Sequence, residues 1–137
     1  MATTAAELAK ALEEIAPTNL AADWDNVGLL VEGPAKLSIE RVLICIDLTH
    51  TVLNEAIEAG VQAIVAYHPP IFGGLKRLTR RAPSQNLILR LIEAGIMVWS
   101  PHTGLDAARD GLGDWLLDGL GETTKREAIE ALKTYGE

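Results

Sequence analysis

The sequence predicts a layered α/β sandwich, with a mostly parallel sheet flanked by helices. Three observations carry that expectation. Residues 41–46, 61–67 and 96–99 are short apolar runs rich in Val, Ile and Leu, the pattern of strands buried on both faces. Amphipathic segments of about ten residues separate them, opened by polar capping residues and stopped by Gly60 and Gly95. The chain has 137 residues, 48% of them hydrophobic and 23% charged, which suits one domain with a true core.

The elements follow in order. Thr4 and Glu7 form a capping box, and Leu8, Leu12 and Ile15 recur at helical spacing until Pro17, which predicts a first helix. Val27 to Val31 reads as a short strand closed by Gly33 and Pro34. Arg41 to Ile46 has no solvent-facing alternation and is expected at the centre of the sheet. Asp47, Thr49, His50 and Thr51 lead into a helix carrying Val52, Leu53, Ala56 and Ile57. Val61 to Tyr67 closes a βαβ unit, whose crossover is right-handed. Ser84 is expected to cap a helix with Leu87, Ile88, Leu91 and Ile92, before a third buried strand at Ile96 to Trp99. A helix over about Gly111 to Leu120 puts Leu112, Trp115, Leu116 and Leu120 on one face. Thr124 and Glu127 form another capping box for a last helix running to about Thr134.

Composition excludes several classes. Twelve Lys and Arg against nineteen Asp and Glu give a net charge of −7, which repels a phosphate backbone and argues against nucleic acid as a partner. No apolar run reaches the roughly 18 residues of a membrane span, and the N-terminus lacks signal and transit features, so no membrane association and a cytoplasmic location are expected. The single cysteine, Cys45, lies in an apolar run and reads as a small buried hydrophobe.

In open parallel sheets, ligands bind beyond the carboxyl ends of the strands. All three histidines of the chain follow such ends: His50 after Asp47, His68 after Tyr67, and His102 in the segment Ser100 to Asp106. His68, His102 and Asp106 would supply two imidazoles and a carboxylate, a set suited to a divalent zinc, manganese or iron ion with positions left for water. The same histidines also suit a plainer role, bonding loop backbone or capping helices. Asp47 either caps the next helix or orients a ligand histidine. His50 is the weaker candidate, being set among threonines in a capping stretch.

Lys76, Arg77, Arg80 and Arg81 concentrate positive charge in the loop that follows His68. Lys76 and Arg77 would draw an anionic substrate toward the strand ends, or the loop is simply solvated. The segment Trp24-Asp25-Asn26 either lines a pocket or anchors a loop on the core.

Taken together, Trp24 to Val31, Val42 to Leu48 with the helix after it, Tyr67 to Phe72, and Ser100 to Ala108 with Gly113 to Leu116 resemble the Nif-three-like proteins, many described as type 2 homologues of GTP cyclohydrolase I. The resemblance covers about residues 5–121. It implies an α/β sandwich with a two-metal site, ring-like homo-oligomers and metal-dependent hydrolysis of a substrate that the resemblance does not fix; Lys76 or Arg77 would steer an anionic, nucleotide-like small molecule to it. Within it, His68 corresponds to the second member of a His-His pair and Asp106 to the Asp of a His-Thr-x-x-Asp segment. His102 corresponds to that segment's histidine, a ligand in some members and a near-site residue in others.

Two departures stand out. Tyr67 replaces the first histidine of the pair, as in the eukaryotic-like variant of the motif, and no histidine follows Asp106 to match the family's late His-Glu motif. The chain therefore resembles the N-terminal portion of such a protein, lacking its C-terminal segment. The expected division is residues 1–121 as the family-like α/β domain and 122–137 as a C-terminal helix without family counterpart. Catalysis stays open: the alternative is a non-catalytic interaction or assembly module with an incomplete metal site, self-associating in either case.

Overall fold

The structure is a computed structural model and describes residues 2–122 and 124–127. Its centre is a four-stranded sheet built from β2 (Gly28–Val31), β4 (Val42–Cys45), β5 (Ala63–Ala66) and β6 (Met97–Ser100), in the order β2-β6-β5-β4. β4, β5 and β6 are mutually parallel, and β2 joins β6 antiparallel with a register shift between Leu29 and Val31. A two-stranded ribbon pairs β1 (Thr3–Thr4) with β3 (Ser38–Ile39). The mixed α/β architecture with a mostly parallel sheet is thus as expected.

Alternation along the strands sorts the core into two layers. On one face Ile64, Ala66 and Val98 pack with Leu53 and Ala56 of α2 (His50–Glu58) and with Leu87, Ile88 and Leu91 of α3 (Pro83–Ala94). On the other, Ala63, Met97 and Trp99 pack with Ile39 and with Leu8 and Leu12 of α1 (Ala5–Ile15). The capping box forms as expected: Thr4 Oγ1 accepts from the Glu7 backbone amide, and the Glu7 carboxylate accepts from the Thr4 amide at 2.8 Å. Gly95 ends α3 in the left-handed conformation, with φ at 66°, where a side chain would be strained.

Several elements depart from expectation. β4 is an edge strand, not a central one. Leu43 and Cys45 pack toward α2 and α3, but Val42, Ile44 and Ile46 point to the face where α1 is the covering helix, and Ile44 is 79% exposed. Cys45 is accordingly half-buried, and burial, followed by the charge of Asp47, pushes its thiol above the ordinary value. α3 begins at Pro83 with Ala82 as its cap, so Ser84 is not the capping residue; proline suits this first turn because it has no N–H to leave unpaired. The apolar residues of α5 (Leu112–Asp118) do not reach the core: Trp115, Leu116 and nearby Leu120 are exposed. A six-residue helix α4 (His102–Ala107) forms where none was expected. The expected last helix starts in residues 124–127, which are not helical, and the rest of it lies outside the described residues. Among the described residues no helix is long and apolar enough to cross a membrane.

Candidate functional site

β5 and β6 run parallel, so their carboxyl ends deliver Tyr67-His68 and Ser100-Pro101-His102 to the same edge of the sheet. Main-chain pairing continues past β5: the Tyr67 amide donates to Cys45 and the His68 amide to Ile46, at 2.8 and 3.0 Å. Ser100 Oγ, fully buried, donates to the Tyr67 carbonyl at 2.9 Å and ties the two strand ends together. The His68 and His102 rings consequently sit edge to face, with centroids 5.5 Å apart.

Each of these two histidines is backed by a carboxylate. His68 Nδ1 lies 2.8 Å from Asp47 Oδ1, and His102 Nδ1 lies 2.8 Å from Asp25 Oδ1. An ionised carboxylate only accepts, so Nδ1 carries the proton and Nε2 of the neutral ring is left with its lone pair. The Asp25 side chain is fully buried while His102 keeps 18% exposure. Burial pushes the Asp25 carboxyl up. The bonds it accepts from the Thr103 hydroxyl, His102 and the Asn26 and Thr103 amides outweigh that and hold it below the ordinary carboxylate range. The same Thr103 hydroxyl accepts from the Ala22 amide at 3.0 Å, so the loop before Trp24 is fastened to the start of α4. His102 itself has φ at 32°, a conformation rare for a non-glycine residue and kept here by this network.

Asp106 is held differently. Tyr67 Oη donates to its Oδ1 at 2.6 Å. Burial, then the bond to Asp106, then the charges of Asp106 and Asp25 push the phenol up to about 12, so at neutral pH Tyr67 is a proton donor and not a phenolate. Among the described residues no three His, Cys, Asp or Glu side chains come together as a group that could hold a metal. The geometry brings together His68 and His102, each with a free Nε2, and gives Asp106 to Tyr67.

His50 does not join them. Its Nε2 lies 3.1 Å from the Pro83 carbonyl and its Nδ1 accepts from Arg90 at 3.2 Å, which makes it part of the contact between α2 and α3. In the basic loop, Arg80 pairs with Glu93, whereas Lys76, Arg77 and Arg81 are exposed and have no hydrogen-bond or ion-pair partner among the described residues.

An aromatic cluster surrounds His102, and sequence reasoning missed its full extent. Tyr67, Trp24 and Phe72 have ring centroids 5.6, 6.1 and 6.4 Å from it, within the range of edge-to-face contact. Phe72 had no local signal, because it becomes part of the site through the Asn26 side-chain amide, which donates to the Ile71 carbonyl 45 residues away. Asp25 and Thr103 likewise acquire their roles through partners 77 and 78 residues distant. A hollow of about 470 Å³ lies elsewhere, between residues 2–6 and 32–38, and none of the histidines lines it.

Comparison with known proteins places these features in context. The family model of Duf34/NIF3 (NGG1p interacting factor 3) matches residues 3–135. The chain is 48% identical over 121 residues to the protein NIF3 homolog of Schizosaccharomyces pombe, covering 87% of this chain and 44% of that protein. Among solved structures, a Bacillus cereus protein related to NIF3 superposes with a TM-score of 0.79 at 32% identity, over 89% of this chain and 33% of that one. Reduced HcgD from Methanocaldococcus jannaschii superposes with a TM-score of 0.78 at 29% identity, over 86% and 47% of the two chains. The chain thus spans less than half the length of each of these relatives.

Proposed function

This chain belongs to the Duf34/NIF3 family, and from that premise we propose that the strand-end cluster is a small-molecule site. There, His68 and His102 bind a divalent metal ion that assists hydrolysis of an anionic ligand. The observation that carries the reading is the pair of carboxylate-backed imidazoles with ring centroids 5.5 Å apart. A carboxylate on Nδ1 fixes the tautomer in which Nε2 can bind a metal, and raises its basicity.

The three-residue set of His68, His102 and Asp106 does not assemble as a group within the described residues. The fit is to a two-imidazole half-site, whose remaining donors would be water or groups outside the described residues. A bound zinc, manganese or iron ion would supply a water of lowered pKa there. This chain's own contribution is to orient both imidazoles, to hold the Tyr67 hydroxyl as a hydrogen-bond donor to Asp106, and to present Lys76 and Arg77 to an anion.

Elemental analysis of protein purified after zinc or manganese supplementation tests the reading, compared with His68→Ala, His102→Ala and Asp106→Ala. Metal in the parent and its loss in both histidine variants is the expected result. Background metal in the parent would overturn it.

A second reading is favoured by the uncovered face of β4. Among the described residues, Val42, Ile44 and Ile46 form an uncovered apolar strip on β4, an edge strand of the sheet, the kind of surface that associates. On that reading the chain is an interaction or assembly module, with a second copy of itself as partner. Metal that altered oligomeric state without producing hydrolysis would favour it.

A further inference from the structure

In the loop between β5 and α3, clustered positive charge leads directly to an open hydroxyl. Arg80 and Arg81 precede Ser84 by four and three residues. Residues 73–82 are neither helix nor strand, and Ala82, the cap of α3, has an extended backbone with φ at −94° and ψ at 130°. Arg81 is exposed and has no partner among the described residues, while Arg80 pairs with Glu93. Ser84 is exposed as well, and its hydroxyl has no hydrogen-bond partner among the described residues.

No other hydroxyl combines these features. Of the three serines, Ser100 is fully buried and bonded to the Tyr67 carbonyl, and Ser38 has no cation three residues before it. Among the threonines only Thr79 has one, in Lys76, and the half-buried Thr79 hydroxyl is already committed to Gln85 Oε1 at 2.9 Å.

We propose that Ser84 is a phosphorylation site for an arginine-directed serine kinase, and that Arg81 then holds the phosphate against the start of α3. A kinase of this class presents carboxylates to guanidinium groups upstream of the acceptor, and Arg81 meets them without first breaking a bond. Ser84 lies in the first turn of α3, where backbone amides have no intrahelical acceptor and a helix frays most readily. In the transfer, Ser84 Oγ forms a bond to the γ-phosphorus of ATP as the bond from that phosphorus to the β,γ-bridging oxygen breaks. The hydroxyl proton passes to the catalytic aspartate of the kinase, and ADP leaves. The product carries about 1.5 to 2 added negative charges and three acceptor oxygens. Three residues after Arg81, and at the positive end of a 12-residue helix, that group gains a charge-assisted bond and a favourable dipole.

The test is incubation of the full chain with ATP and the catalytic subunit of cyclic-AMP-dependent protein kinase, read by intact-mass and peptide mass spectrometry. The expected result is a single phosphate on Ser84, none in Ser84→Ala, and undiminished incorporation in Thr79→Val. Arg81→Ala should lower kcat/KM for phosphorylation about 10- to 100-fold, the share of a hydrogen bond to a charged group. The melting temperature should rise by about 2–6 °C on phosphorylation, and by less in Arg81→Ala driven to the same stoichiometry by longer incubation. No phosphate on Ser84, incorporation only after heat unfolding, or transfer to Thr79 in its place would each overturn the site. A melting temperature unchanged or lowered by phosphorylation, or an equal rise in Arg81→Ala, would overturn the role given to Arg81.

Discussion

Asp25 Oδ1 lies 2.8 Å from His102 Nδ1, joining a fully buried carboxylate to a ring that still reaches solvent. Every other contact of Asp25 comes from a donor: the Asn26 amide at 2.7 Å and the Thr103 amide and hydroxyl. The residue thus organises the loop at 22–26 and the start of α4 around a single negative charge.

Asp25→Asn should therefore destabilise the fold. The substituted amide turns a nitrogen donor toward groups that themselves donate, leaving at least one unpaired, at a cost of about 1–3 kcal/mol. The sign of the pH dependence follows from the lowered carboxyl. A group whose folded pKa is depressed contributes stability above its unfolded value of about 3.9, and that contribution is lost as pH falls through the folded value. Denaturant melts from neutral to acid pH should show the parent losing stability below about pH 4. The asparagine variant should lose less over the same interval. An identical acid slope in both proteins would remove Asp25 as its source.

Tyr67→Phe isolates the other carboxylate. It removes the 2.6 Å bond to Asp106 and should cost about 1.5–3 kcal/mol, the range for a hydrogen bond to a charged group. Because the phenol is raised to about 12, its folded-state contribution is complete below the unfolded value near 10 and is lost as pH rises toward 12. The parent should therefore destabilise between these values more than Tyr67→Phe does, as read by alkaline denaturant melts. Equal slopes would mean that the Tyr67 phenol is not raised in the folded protein, neither by burial nor by Asp106.

Ile44→Lys tests the uncovered strand face. Ile44 is 79% exposed, so the substitution should change monomer stability by less than about 0.5 kcal/mol. A lysine on that face would oppose contact with a second apolar strip. Light scattering across micromolar concentrations should show association in the parent and a monomer in the variant. A parent that stays monodisperse and monomeric would sink the assembly reading.

How much of this was legible depended on the range of the interaction. The Thr4–Glu7 capping box and the Leu8 and Leu12 stripe are local, and α1 forms where they indicate. Met97 to Ser100 is buried throughout, as a continuous apolar run implies. Val42 to Cys45 is an equally apolar run but takes the sheet edge, because an apolar run records what a strand can bury and not which neighbours arrive to cover it. α4 is six residues long and contains Gly104, too short for a helical period to register. Asp47 beside His68 was foreseeable from two adjacent strand ends. Asp25 and Phe72 were not, because their roles depend on pairings that only the folded chain creates.

Asp47→Asn separates metal orientation from folding more cleanly than any change at Asp25. The Asp47 carboxylate is 68% exposed and bonds the His68 ring at 2.8 Å, so its loss leaves no buried group unpaired. Stability should move by less than about 0.5 kcal/mol. An asparagine can present either its oxygen or its nitrogen to Nδ1, and the second choice stabilises the tautomer with the proton on Nε2, which cannot bind a metal. Residues in this position typically contribute about 10- to 100-fold to metal affinity. Competition titrations with a chromogenic chelator should thus show weaker zinc binding in Asp47→Asn by that factor, with an unchanged melting curve. Unchanged zinc affinity would leave the Asp47–His68 pair as a surface contact and remove one of the two supports of the metal reading.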